Sequence, residues 1–200
     1  MKNYLKNRKI LEEGLVYSKS MEHDACGVGL IASTEGKKSR KVVEYGISAL
    51  KAVFHRGAVD ADGKTGDGAG IHLEIPTNFF TEKIELTGHK HDSSEICIGM
   101  IFLPRNNYEA QENARTLVES ELTKSNFSIY GWRQVPVNSK VLGEKANFTK
   151  PEISQVLFKH NDKNLIDKEL ERKIYESRRK IEKEAIKNAI EGFYICSLSS

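Results

Sequence analysis

Glu22-His23-Asp24-Ala25-Cys26-Gly27-Val28-Gly29-Leu30-Ile31-Ala32 is the stretch on which the reading of this chain turns. A charged leader runs up to Asp24. From Ala25 to Ala32 every residue is small or apolar, the pattern of a short strand buried on both faces. Cys26 stands at the mouth of that strand. A core role suits most isolated cysteines, because free Cys is among the most buried residue types. Here, however, Gly27 and Gly29 leave two positions beside the thiol without side chains, so a backbone or ligand can approach closely. Cleavage between Ala25 and Cys26 would give the thiol its own α-amine. With an ordinary pKa of about 7.7–8.0, that amine can act as base for the nucleophile next to it.

Outward from this stretch, Met1–Asp24 is polar and supports one marginal helix at most. It has no apolar core of a secretory signal, and no run in the chain approaches the length of a membrane span. The net charge of +3, from 31 basic and 28 acidic residues, is too small to argue for nucleic acid. Cys26, Cys97 and Cys196 lie far apart and match neither a metal spacing nor a disulfide framework. A reducing, cytoplasmic location is expected. Two hundred residues suit one domain.

After a loop, Ser39 is placed to cap a helix carrying Val43, Ile47, Leu50 and Phe54 on one face and stopped by Gly57. His55–Gly70 then holds five glycines in sixteen residues and cannot be a regular element. It reads as a surface loop, or as backbone able to fold tightly around a small polar ligand; no phosphate-cradle motif fits it. Arg56 at its head offers a fixed fork of donors. Ala69–Ile75 alternates as a half-buried strand ended by Pro76. Glu95–Leu103 is a fully apolar strand that places Cys97 in the core. Asn106 with Glu109 resembles a capping box ahead of a helix through Leu122.

Phe127–Val137 reads as extended, with Trp132 its costliest residue to expose. Glu152–Phe158 reads as a strand, Leu165–Ile190 as a long helix, and Phe193–Leu198 as a strand. The long helix has Glu169/Lys173 and Glu176/Lys180 at a favourable spacing of four. Its interspersed charges mark a solvated face rather than a nucleic-acid surface. Strands and helices mixed in this way imply helices packed on sheets, an α+β layered fold.

Three of these segments carry a resemblance. Glu22–Gly29, His55-Arg56-Gly57-Ala58 and Thr65-Gly66-Asp67-Gly68-Ala69-Gly70 resemble the opening of the glutamate synthase large-subunit family, in its class II glutamine amidotransferase domain. That domain is one of the N-terminal nucleophile hydrolases. Gly131-Trp132-Arg133-Gln134-Val135-Pro136-Val137 and the helix around Arg172–Glu182 are similar to the same family.

The resemblance implies a four-layer αββα sandwich, incomplete at its C-terminal end, with residues 1–25 as propeptide and residues 26–200 as the first portion of the domain. It implies Cys26 as the catalytic nucleophile, attacking the side-chain amide of glutamine to form a thioester, and Arg56 as the residue holding the active-site backbone beside it. No cofactor or metal is expected in this segment. FMN, an iron–sulfur cluster, a synthase domain acting on 2-oxoglutarate, and a small electron-donating subunit or ferredoxin are expected with the full-length enzyme. No nucleic acid and no membrane enter. The family takes an oxyanion donor from an Asn-Gly pair, and that dipeptide is absent from these 200 residues. The chain alone is therefore expected to be a truncated, inactive portion of the enzyme. The alternative expectation is a non-catalytic remnant or interaction module in which Cys26 is a structural or redox thiol.

Overall fold

The computed structural model describes residues 6, 7, 9, 10, 13, 27–54, 57–91 and 95–200. They fall into two units, one of residues 1–58 with 67–71 and the other of residues 59–66 with 72–200.

The first unit contains α1, Arg40–Ala52. Ser39 caps it as its sequence suggests, its hydroxyl oxygen accepting the Lys41 N–H at 3.2 Å. The helix ends at Ala52, earlier than Gly57; the Gly57 N–H instead closes a separate turn on the Phe54 carbonyl at 3.0 Å.

The expected strand at Ala25–Ala32 is not formed over its described part. Gly27–Ala32 has no ladder pairing among the described residues, and Val28 and Leu30 are 93% and 89% exposed. The expected strand at Ala69–Ile75 is likewise irregular, with Ile71 and Leu73 half-exposed. An apolar or alternating run becomes a strand only where a neighbour takes its N–H and C=O groups, and periodicity cannot supply that neighbour.

The second unit is built on a four-stranded antiparallel sheet of order β2-β3-β1-β4, where β1 is Cys97–Leu103, β2 Phe127–Gln134, β3 Glu152–His160 and β4 Tyr194–Ser199. Central β1 faces β3 with Cys97 opposite Phe158 and Leu103 opposite Glu152. One face carries Cys97, Ile101, Leu103, Phe127, Val156, Phe158, Ile195 and Leu198. It is covered by Ala114, Val118 and Leu122 of α3, Tyr108–Lys124, and by Leu170, Ile174 and Ile181 of α5, Asp167–Lys187. On the other face Ile98, Tyr130 and Leu157 pack with Phe80 and Ile84 of α2, Thr77–Glu85.

The class is α+β, and a helix-backed antiparallel sheet is consistent with the sandwich that the resemblance implies.

Two bulges tune which side chains reach the helices. Ile129 pairs with Phe158 and Gly131 with Leu157, so Tyr130 is the extra residue in β2. An odd insertion flips the alternation, which returns Trp132 to the face of Phe127 and Ile129. In β4 the extra residue is Cys196, between Ile195 opposite Ile101 and Ser197 opposite Met100. Ile195 and Leu198, three apart, thereby share one face.

Local details differ from the sequence reading by small steps. Asn107, not Asn106, caps α3, its side-chain oxygen accepting the Ala110 N–H at 3.0 Å. On α5 the pairs at a spacing of four are Arg172–Glu176 at 3.0 Å and Arg178–Glu182 at 2.8 Å, with the base ahead of the acid rather than behind it. Helix α2 was not foreseen, although Phe80 and Ile84 fall four apart, as one buried helical face requires.

Candidate active site

Cys26 and Arg56, the two residues that the sequence singles out, lie outside the described residues. The described chain begins again immediately after each. After Cys26, Gly27, Val28 and Gly29 are irregular and exposed. A Cβ on Gly29 would meet nothing within 4 Å, so in this structure its bare backbone is not demanded by crowding. After Arg56, in the first unit, Ala58 and Asp67 hold each other. The Ala58 N–H donates to the Asp67 carboxylate at 2.9 Å and the Asp67 N–H donates to the Ala58 carbonyl at 3.2 Å.

The Gly-rich segment is ordered by its own acidic and hydroxyl side chains. In the second unit Val59 and Gly66 form an antiparallel bridge, and the Asp60 N–H donates to the Thr65 carbonyl at 2.7 Å. Gly63, at φ +68, turns the chain between them. Asp62 organises the turn by accepting the Lys64 N–H at 2.9 Å and the Thr65 N–H at 2.6 Å, and the Thr65 hydroxyl also donates to it. That hydroxyl first, and then the Thr65 and Lys64 amides, hold the Asp62 carboxyl well below the usual carboxylate range.

This hairpin meets α4, Glu144–Thr149, whose N-cap residue is Gly143 and whose first turn has no cap from its own neighbouring side chains. The Thr65 oxygen accepts the Ala146 N–H at 3.4 Å, and the Lys145 ammonium donates to Asp60 at 2.8 and 2.9 Å. A helix start is thus capped by residues some eighty positions earlier. The sequence reading missed this contact. Its local signals were the Asp62-Gly63 turn pair with Thr65 three residues after the acid, and a glycine just ahead of a helix.

The Gly131–Val137 motif serves the scaffold. Arg133 donates to the Gln155 side chain at 2.7 Å with its guanidinium 5.3 Å from the Phe79 ring centre, and Gln134 donates to Glu152 at 2.8 Å. Gly131, at φ +146, lets Thr87 come within 3.0 Å of where its Cβ would be. Burial pushes the Cys97 thiol far up, which keeps it protonated and unreactive. Cys196 is exposed on the edge strand β4.

Among the described residues no grouping of His, Cys, Asp or Glu could hold a metal ion, and the two cysteines do not make the ligand set of an iron–sulfur cluster. No described helix is long and apolar enough to cross a membrane.

Comparison with known proteins bears on the same residues. The family model described as class-II glutamine amidotransferases matches residues 26–200. The chain is 50% identical over 194 residues to the large chain of glutamate synthase [NADPH] from Azospirillum brasilense, a match taking in 97% of this chain and 13% of that protein. It is 38% identical over 182 residues to the ferredoxin-dependent glutamate synthase of Pyropia yezoensis, covering 89% of this chain and 12% of that protein. To ferredoxin-dependent glutamate synthase 1 of Arabidopsis thaliana it is 37% identical over 182 residues, covering 90% and 11%. The chain therefore spans only a small part of the length of the relatives it matches.

Proposed function

The chain belongs to the class-II glutamine amidotransferases, and from that premise we propose that it carries the nucleophile of a glutaminase that feeds ammonia to glutamate synthesis. In this reading residues 1–25 are a propeptide and Cys26 is the first residue of the mature domain. The observation that carries it is the start of the family match at residue 26, the cysteine itself. The match to the A. brasilense protein takes in 97% of the chain and so most of the leader, as expected if precursors of this kind share it.

The chemistry follows from one residue holding both nucleophile and base. The freed α-amine takes the thiol proton, and the Cys26 sulfur attacks the side-chain amide carbon of glutamine. The C–N bond breaks, the nitrogen leaves as ammonia, and water then releases glutamate from the thioester. Arg56 holds the backbone around the thiol with its fork of donors. The exposed Gly27–Gly29 backbone next to the thiol supports access by a small polar substrate. The later reduction on 2-oxoglutarate, which needs FMN and an iron–sulfur cluster, is assigned to other parts of a longer protein with a ferredoxin or small electron-donating subunit as partner. No step at Cys26 runs through those groups. The cytoplasm suits a free thiol nucleophile.

The test is ammonia release from glutamine by the protein as its gene encodes it, with mass spectrometry of the active species. Active protein should begin at Cys26, and Cys26→Ser should lose most of the rate, because a hydroxyl is the poorer nucleophile at neutral pH. Active protein still carrying Met1, or full activity in Cys26→Ser, would leave the cysteine as a structural or redox thiol. A polypeptide of residues 26–200 alone should be without useful activity. It lacks an Asn-Gly pair, and loss of one oxyanion donor alone costs about 10²–10³ in rate. Equal rates from that polypeptide and the longer protein would overturn this part of the reading.

A further inference from the structure

Helix α4 has little reason to exist by itself. It has six residues, Glu144–Thr149, and none of them is buried. A helix so short is unstable in water unless something outside it holds it. With no buried apolar face to anchor it, the groups that hold its two ends decide whether it forms.

At its start those groups come from the hairpin at 59–66, which lies in the same unit. The Thr65 hydroxyl oxygen accepts the Ala146 N–H, and the same hydroxyl donates its own proton to the Asp62 carboxylate at 2.5 Å. Fixing the proton in that direction leaves the lone pairs free to face the helix. Asp62 is kept ionised by the Thr65 hydroxyl first, then by the Thr65 and Lys64 amides, and also by the Lys145 amide of α4. The Lys145 and Ala146 amides of the helix start are thereby served from the hairpin, where a local cap is lacking. Gly143 admits this approach. Its φ of −68 is open to any residue, so its backbone does not require glycine. A Cβ there would nevertheless fall inside 3.0 Å of the Thr65 hydroxyl oxygen, an Asp62 carboxylate oxygen and the Thr65 nitrogen.

The other end is held from β1. The guanidinium of Arg105, just past that strand, donates to the carbonyls of Asn147 and Phe148. The Lys150 ammonium then closes back on the Ser139 hydroxyl at 2.6 Å.

We propose that residues 139–150 are a strap clamped by Asp62 and Thr65 at the start of α4 and by Arg105 at its end, and that strap and hairpin open together as one unit while the sheet stays closed. The inference makes no use of the glutaminase reading. Coupling between two segments is reciprocal, so loosening either one must loosen the other. The Lys145–Asp60 pair adds little, because it is largely exposed.

The experiment is hydrogen exchange read by mass spectrometry on the protein as its gene encodes it, following peptides over residues 59–66, 144–150, 97–103 and 152–158. In the wild type the first two should exchange faster than the two strands. Gly143→Ala should raise exchange in hairpin and strap alike by about tenfold or more, since three atoms must give way. Asp62→Asn should raise exchange of the strap by about fivefold, the ordinary cost of a lost cap, although the changed residue lies in the hairpin. Arg105→Ala should raise it in the strap and, through the coupling, in the hairpin. The strand peptides should be unmoved in all three variants. A rise confined to the segment that carries the substitution would overturn the joint opening. Strand peptides rising in step with the strap would show that no separate unit exists, and so would a wild-type strap that exchanges as slowly as β1.

Discussion

The indole N–H of Trp132 donates to Oε1 of Glu119 at 2.6 Å, joining β2 to the helix packed over it. The ring also receives the Arg115 guanidinium at 5.8 Å from its centre, and it packs on the main core through the bulge at Tyr130. Glu119→Ala should therefore leave a half-buried donor without its partner. The expected loss is about 1 kcal/mol of unfolding free energy, read by urea denaturation. Glu119→Gln, which keeps an acceptor oxygen, should lose less. Equal stability of wild type and Glu119→Ala would show that water replaces the carboxylate at no cost.

Gly99 in the central strand lies opposite both Val156 and Leu198. A Cβ there would stand 2.7 Å from Val156 Cγ1 and 2.6 Å from Leu198 Cδ1, inside a buried face. Overpacking of this kind costs about 1–3 kcal/mol. The lower entropy of an unfolded chain with Ala instead of Gly returns about 0.4–1 kcal/mol. The first effect should win, so Gly99→Ala is expected to lower the urea midpoint. A midpoint equal to or above wild type would mean that Leu198 rotates away freely.

The pH dependence of the hairpin follows from Asp62, whose carboxyl is held well below the usual range by the Thr65 hydroxyl and the neighbouring amides. A carboxyl depressed in the folded state contributes stability that is complete above its unfolded pKa, about 3.9, and lost as pH falls through the lower folded value. The Thr65 amide resonance should therefore be unmoved as pH falls from neutral to about 4 and shift only in stronger acid. In Asp62→Asn that acid transition should vanish. A midpoint for Thr65 near the ordinary carboxylate value would show that the turn does not hold the ionised form.

Residues 97–103 and 152–158 are legible as strands because dense apolar character over about seven residues admits few other outcomes. The α5 helix is legible because Leu170, Ile174, Ile181 and Ala185 repeat with the helical period, and Ser39 announces α1 through its local cap. Cys26 stood out for its glycine neighbours and its place after a leader, and the family match starts at that residue. All of these signals are carried by residues a few positions apart.

Tertiary structure decided what depends on distant partners. Gly27–Ala32 and Ala69–Ile75 have strand-like sequences but no ladder among the described residues, since pairing is a property of two segments. The extra residues Tyr130 and Cys196 reset which side chains face the helices, and an insertion in register has no signature in the strand that carries it. The hydrogen bond from Ala146 to Thr65 spans 81 residues, and the bare Cα of Gly143 has meaning only beside the hairpin it admits. Sequence alone marked the elements whose signals are local and singled out Cys26 as the candidate nucleophile. Which segments meet was settled by packing, because close contact and hydrogen bonding are selected in three dimensions and leave at most a glycine or an aspartate behind in the chain.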